Sequence, residues 1–234
     1  MTLGRNGRDA HPRSIDQMVD DLHGIVEHLK RSYEVPKVVL LGHSWGSALG
    51  SLYALRHPEN VAAYIGSGQV VSLRENERVG FEQVKRQAQA ADDRKSLALL
   101  EQVSDYPPAD ADEFLRALPK VRKVQDAYEQ GPGIGTLLLK TLADRVFTLR
   151  DLGSLVRASS ANAALLRELV DFDLRAHGCR YACPVHYLLG MNDTTTPTDL
   201  AGAYFDELRA QRKALTIIPR AGHSPMFEQP EAYA

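Results

Sequence analysis

The chain has 234 residues, with 28 Lys plus Arg, 30 Asp plus Glu and a formal net charge of −2. A hydrophobic content of 44% and a charged content of 25% are ordinary for globular proteins and exclude wholesale disorder. The balanced charge argues against nucleic acid or an anionic membrane as a partner. No stretch reaches the roughly 20 apolar residues of a membrane span, and the start lacks the apolar region of a signal peptide. We therefore expect a cytoplasmic protein.

The two cysteines, Cys179 and Cys183, are too few for a disulfide framework. Their spacing fits neither a zinc knuckle nor a redox pair, so we expect free thiols.

The first part of the chain predicts a strand–helix–strand unit. Apolar residues recur at steps of three and four over residues 14–33, which predicts a helix that starts at Ser14. A buried strand is predicted at 37–41, then a small-residue helix that ends near His57, then a second buried strand at 61–66. Short connections of this kind are typical of a parallel sheet covered by helices.

The pattern changes between residues 72 and 178, where charged helical segments follow one another without a clear strand. A glycine cluster at 131–135 predicts a turn or hinge within this segment. Strands at 184–189 and 214–218 and a helix at 197–210 then restore the earlier pattern, and a last helix is expected to begin at Pro230. We therefore expect an α/β core formed by residues 1–71 and 179–234, with 72–178 as a helical cap.

Residues 42–46 read Gly-His-Ser-Trp-Gly, a G-x-S-x-G motif. An apolar strand precedes it and a small-residue helix follows, which is the context of a nucleophile elbow. The flanking glycines leave room for a tight, strained turn. Ser44 is therefore the candidate nucleophile.

A serine nucleophile needs a base, and the base needs an orienting carboxylate. In this architecture they follow in the order serine, acid, histidine, each after a strand. Asp193 and His223 have that order and placement. Asp199 falls in the first turn of the next helix, where an acid also serves the helix dipole. His43 is expected to point under the turn rather than act as the base.

The sequence predicts neither a metal site nor a cofactor. It contains no H-E-x-x-H motif, and the glycine cluster at 131–135 lacks the Lys-Ser or Lys-Thr of a phosphate loop.

Three segments carry a family resemblance. Leu41 to Ser47, Tyr64 to Val71, and Gly222 to Pro225 with the later Glu-Gln-Pro at 228–230 resemble α/β-hydrolases of the proline iminopeptidase group. The resemblance spans most of the chain and is weakest through the cap. It implies Ser44 as nucleophile, Asp193 as acid and His223 as base, with the backbone N–H of Trp45 in the oxyanion hole.

The chain departs from this family before residue 44. The resemblance implies further strands and a His-Gly-Gly-type loop there, and the 43 residues contain no such loop. We therefore expect a partial α/β-hydrolase fold, the C-terminal half of the sheet, in an N-terminally truncated chain without its second oxyanion donor. The strand at 37–41 would then form an exposed apolar edge.

The resemblance implies a serine hydrolase that releases an N-terminal residue, such as proline, from small peptides. Gln69, Glu75 and Glu77 are then candidate substrate-binding residues, the glutamates because a substrate amine needs an anionic partner. Two alternatives stay open: an esterase or other small-acyl hydrolase with the same triad, and an inactive fragment. The expected partner is a small peptide or acyl substrate, and the oligomeric state is left open.

Overall fold

Helices and parallel strands alternate along the chain. A computed structural model describes residues 14–128 and 163–234, so the predicted turn at 131–135 lies outside the described residues. The first half contains α1 (Ile15–Tyr33), β1 (Val38–His43), α2 (Trp45–Arg56), β2 (Val61–Ser67), α3 (Leu73–Ala90), α4 (Arg94–Glu101) and α5 (Ala111–Tyr128). The second contains α6 (Ala163–Val170), β3 (Val185–Gly190), α7 (Thr198–Glu207), β4 (Lys213–Ile218), α8 (Pro225–Glu228) and α9 (Pro230–Tyr233).

Helix α1 begins where its sequence predicts. The Ser14 hydroxyl accepts a hydrogen bond from the N–H of Gln17 at 3.1 Å and so caps the first turn. Ile15, Val19 and Val26 on its apolar stripe are buried and join one core with α2, α7 and the strands. This burial fixes α1 against the elements on either side of Ser44.

Helix α7 is shorter than expected and ends at Glu207 rather than at residue 210. The backbone of Arg209 pairs instead with the segment before β3. Its N–H donates to the carbonyl of Cys179 at 2.8 Å, and its carbonyl accepts from the N–H of Tyr181 at 2.8 Å. This non-local pairing replaces the last helical turn.

In the described residues, four parallel strands form one sheet in the order β1-β2-β3-β4. The sheet places the carboxyl ends of the strands along one edge, which is where parallel sheets carry their sites. Strand β1 lies at the outside of the described sheet, and Val39 and Leu41 are 60% and 56% exposed. The prediction of an exposed apolar edge is confirmed for these residues.

The segment between β2 and β3 is helical where it is described. Helices α3 to α6 share an apolar cluster of their own, with Phe81 and Phe114 among its buried members. The two ends of the segment lie side by side: the N–H of Leu73 donates to the carbonyl of Phe172 at 3.0 Å, and that of Leu174 to the carbonyl of Val71 at 2.7 Å. Because residues 129–162 lie outside the described part, the division into core and cap stays a prediction.

Within residues 14–128 and 163–234, no helix is both long and apolar enough to cross a membrane.

Candidate active site

Ser44 forms the sharp turn between β1 and α2. Its backbone has φ 55° and ψ −128°, a left-handed conformation that costs a non-glycine residue about 1–3 kcal/mol. The N–H of Ser44 donates to the carbonyl of Ser67 at the end of β2, at 3.0 Å. A Cβ on Gly42 would overlap the backbone of Gly46, so the turn closes this tightly only with glycine there.

The structure brings Ser44, His223 and Asp193 together from the loops after three different strands. The Ser44 Oγ lies 2.9 Å from the Nε2 of His223, and the Nδ1 of His223 lies 3.0 Å from the Oδ2 of Asp193. An ionised carboxylate only accepts hydrogen bonds, so Nδ1 carries the proton and Nε2 accepts from the serine hydroxyl. The three side chains thus have the geometry of a nucleophile, base and orienting acid.

Asp193 is buried and held by hydrogen bonds. Its Oδ1 accepts from the N–H groups of Thr195 and Thr196 at 2.8 and 2.7 Å, and its Oδ2 accepts from the Thr196 hydroxyl at 2.6 Å. Burial by itself raises the pKa of Asp193, but His223 and the bonds from Thr196 outweigh it and leave the pKa below its usual value. The carboxylate is therefore ionised at neutral pH.

Two further side chains hold the histidine loop, and the sequence analysis missed both roles. The Glu228 carboxylate accepts hydrogen bonds from the N–H groups of Gly222 and, at 2.9 Å, of Ser224. The Nε2 of His43 donates to the carbonyl of His223 at 2.7 Å, and burial lowers the pKa of His43, so it donates as a neutral ring. Glu228 lies four residues after the N-cap Ser224, one position beyond the glutamate of a capping box, so the local sequence carries no standard signal for this contact.

The backbone N–H of Trp45 belongs to the first turn of α2, where N–H groups have no partner within the helix. The Trp45 ring packs edge-on against Phe172 at 5.6 Å between centroids. Ser44 and Trp45 line one small cavity of about 110 Å³. Asn76, Arg122 and apolar side chains from the segment between β2 and β3 line it as well.

The three residues expected to bind the substrate lie away from the lining of this cavity in the described residues. Gln69 is buried, and its amide bonds to the Tyr64 hydroxyl at 2.7 Å and to the carbonyl of Val70 at 2.8 Å. Glu75 pairs with Arg175 at 2.6 Å on the exposed side of α3.

Glu77 belongs to a buried polar network that reaches the loop of Asp193, called the acid loop below. Its carboxylate accepts from the guanidinium of Arg122 and, at 2.5 Å, from the Tyr106 hydroxyl. Arg122 also donates to Gln125, whose amide N–H donates to the carbonyl of Thr194 at 2.6 Å. The network therefore joins α3 and α5 to the residue that follows Asp193.

Comparison with known proteins agrees with this fold. The chain is 22% identical over 228 residues to "Probable aminopeptidase YbaC" of Bacillus subtilis, and the aligned region covers 96% of this chain and 71% of that protein. It is 28% identical over 222 residues to the 2-succinyl-6-hydroxy-2,4-cyclohexadiene-1-carboxylate synthase of an Enterobacter species, which covers 92% of this chain and 70% of that protein.

Among solved structures, the proline iminopeptidase of Mycobacterium smegmatis superposes with a TM-score of 0.61 at 17% identity, covering 97% of this chain and 72% of that one. At this identity the superposition supports the fold alone. The family model described as "Serine aminopeptidase, S33" matches residues 3–230. The chain is therefore a hydrolase and a member of the serine aminopeptidase S33 family of α/β-hydrolases.

Proposed function

We propose that this hydrolase uses Ser44 as its nucleophile, His223 as general base and Asp193 as the orienting acid. The observation that carries the proposal is the continuous chain of hydrogen bonds at 2.9 and 3.0 Å from the serine oxygen to the buried carboxylate. A serine hydroxyl becomes a competent nucleophile when a base within this distance takes its proton.

In the proposed reaction, the Ser44 Oγ attacks the carbonyl carbon of the substrate while His223 Nε2 takes the hydroxyl proton. Asp193 stabilises the imidazolium that results, and the N–H of Trp45 donates to the oxyanion. His223 then passes the proton to the leaving group, which departs and leaves an acyl group on Ser44. Water, activated by the same histidine, hydrolyses this ester and restores the serine.

The prediction of a missing second oxyanion donor concerns residues 1–13 as well as those described, so it stays a prediction. With one donor instead of two, turnover would fall by about 10²–10³.

The first candidate substrate class is a small peptide from which an N-terminal residue such as proline is released. The family model, named for serine aminopeptidases, and the aminopeptidase and proline iminopeptidase among the relatives support it. Such an enzyme needs an acceptor for the substrate's free amine. Glu75 and Glu77, the carboxylates proposed for that task, each already pair with an arginine, Arg175 and Arg122.

The second candidate class is a small ester or other acyl compound without a free amine. The occupied carboxylates favour it, and so does the lining of the cavity beside Ser44, which in the described residues includes Arg122 and no acidic side chain.

A fluorophosphonate probe tests the nucleophile directly. We expect one label on the wild-type chain and none on Ser44→Ala, while the exposed control Ser32→Ala is labelled like wild type. An unlabelled wild-type chain would favour the inactive-fragment alternative. Turnover of proline naphthylamide against nitrophenyl acetate then separates the two substrate classes.

A further inference from the structure

The side-chain amide nitrogen of Asn76 is buried and has no hydrogen-bond partner within the described residues. The residue is 1% exposed, and its Nδ2 bonds to no atom in the part of the chain that the structure describes. It lies in the first turn of α3 and lines the same cavity as Ser44 and Trp45. Leaving a buried donor unpaired is costly, so a native site of this kind calls for a partner that arrives with a ligand.

Arg122 lines the same cavity from α5. A guanidinium has five N–H groups, and hydrogen bonds within the described residues use two of them, toward Glu77 and Gln125. The carboxylate of Glu77, which does not line the cavity, accepts a hydrogen bond from Arg122 and offsets part of its charge. Asn76 and Arg122 therefore present hydrogen-bond donors to a ligand in the cavity. The other described residues that line it are mostly apolar, Leu73 and Phe172 among them.

We propose that Asn76 and Arg122 form a donor subsite that binds an acceptor oxygen on the acyl part of the substrate. The oxygen belongs to a ketone or a carboxylate a few atoms from the scissile carbonyl, because Ser44 lines the same small cavity. The inference rests on the proposed function, in which that carbonyl is attacked by Ser44. It assigns the substrate to short oxo-acyl or dicarboxylate half-esters.

An ammonium group fits this subsite poorly. A free amine in its charged form only donates hydrogen bonds, and the guanidinium of Arg122 in this subsite is a donor with a charge of the same sign. Burying that charge beside a second cation adds like-charge repulsion to the desolvation cost. The subsite therefore selects against substrates with a charged amine near the scissile bond.

Binding to the Ser44→Ala variant tests the subsite without turnover. Four methyl esters of similar length are titrated by calorimetry: pentanoate, 4-oxopentanoate, the half-ester of butanedioate, and 4-aminobutanoate. We expect the 4-oxo ester, the half-ester or both to bind at least about tenfold more tightly than pentanoate, and the amino ester to bind most weakly. Comparison of the 4-oxo ester with the half-ester separates a ketone from a carboxylate as the bound acceptor.

Variants of Asn76 in the same Ser44→Ala background then test the assignment. We expect Asn76→Leu to remove most of the preference for the oxygen-bearing ester, and Asn76→Asp, which only accepts, to shift the preference toward the amino ester. Gln87→Leu is the matched control, since Gln87 lies on the same helix but lines a separate groove with Met191 and Asn192. Thermal unfolding confirms that each variant is folded.

Equal binding of pentanoate and both oxygen-bearing esters, or tighter binding of the amino ester, would overturn the subsite. So would an unchanged preference in a folded Asn76→Asp variant. These outcomes do not depend on catalysis, whereas the proposed function fails separately if the fluorophosphonate probe leaves wild-type Ser44 unlabelled.

Discussion

Glu228 holds the loop of His223 from both sides, because its two carboxylate oxygens accept from the N–H groups of the residues before and after the histidine. Hydrogen bonds to a charged acceptor are stronger than neutral ones and fix the loop in one position. The proposed base is thereby held by a residue that bonds only to the backbone of its loop.

We predict that Glu228→Gln lowers kcat by about tenfold, because the amide keeps one acceptor and turns an N–H donor toward another donor. Steady-state kinetics on the best substrate measures the change. Glu231→Gln, in the exposed turn that follows, is the control and should match wild type. A wild-type kcat in Glu228→Gln would mean that the loop keeps its position without the carboxylate.

Asp193 should make the free energy of unfolding depend on pH in the acid range. Its pKa is lower in the folded protein than in the unfolded chain, where a carboxyl titrates near about 3.9. The stabilisation is therefore complete above about pH 4 and is lost as the pH falls through the lower, folded value. We expect urea unfolding between pH 2 and 6 to show that the free energy of unfolding depends less steeply on pH in Asp193→Asn than in the wild type.

Asp199→Asn is the control for this measurement, because Asp199 is exposed in the first turn of α7. It should follow the wild-type curve. If Asp193→Asn also follows that curve, the titration of Asp193 does not contribute to acid unfolding.

Gly80 lets helix α3 lie directly against the acid loop. A Cβ at this position would overlap the carbonyl oxygen of Thr194, which already accepts from Gln125. We predict that Gly80→Ala lowers the free energy of unfolding by about 1–3 kcal/mol and also reduces kcat, because the clash falls on the residue next to Asp193.

Gly24→Ala in α1 should change the free energy of unfolding in the opposite direction, because a Cβ there would meet nothing within 4 Å. That change should raise the free energy of unfolding by about 0.5–1 kcal/mol through helix propensity alone. Chemical denaturation of both variants measures the pair. Equal effects of the two substitutions would show that α3 can shift away from Thr194 at little cost.

Glu77 should contribute to stability through its bonds to Arg122 and Tyr106. We predict that Glu77→Gln lowers the free energy of unfolding by about 1–3 kcal/mol, because the guanidinium loses its buried counter-charge. Glu82→Gln, at an exposed position of the same helix, serves as the control in denaturant titrations. A loss no larger than that of the control would mean that solvent compensates Arg122.

Much of this fold could be predicted because its signals are local. The apolar runs predicted all four described strands to within two residues of their observed ends, and the glycines around Ser44 predicted the tight turn. Strand order along the chain then placed Asp193 and His223 at the same edge of the sheet.

The partners of charged residues could not be predicted in the same way. Glu77 and Arg122 are 45 residues apart and meet only because α3 packs beside α5, so no local pattern distinguishes Glu77 from an exposed glutamate. The same holds for Asn76, whose lack of a partner depends on how the helices close around it.

The paired ends of the segment between β2 and β3 have a consequence for how new specificity can arise. Main-chain bonds from Leu73 to Phe172 and from Leu174 to Val71 hold the exit and the return of the chain together. We therefore expect that the segment can be exchanged as a unit without altering the spacing of the two strands. Asn76 and Arg122, the residues of the proposed subsite, lie inside this segment, whereas the proposed triad of Ser44, Asp193 and His223 lies outside it, so we expect a graft of another segment to change the acyl preference and to leave the proposed triad in place.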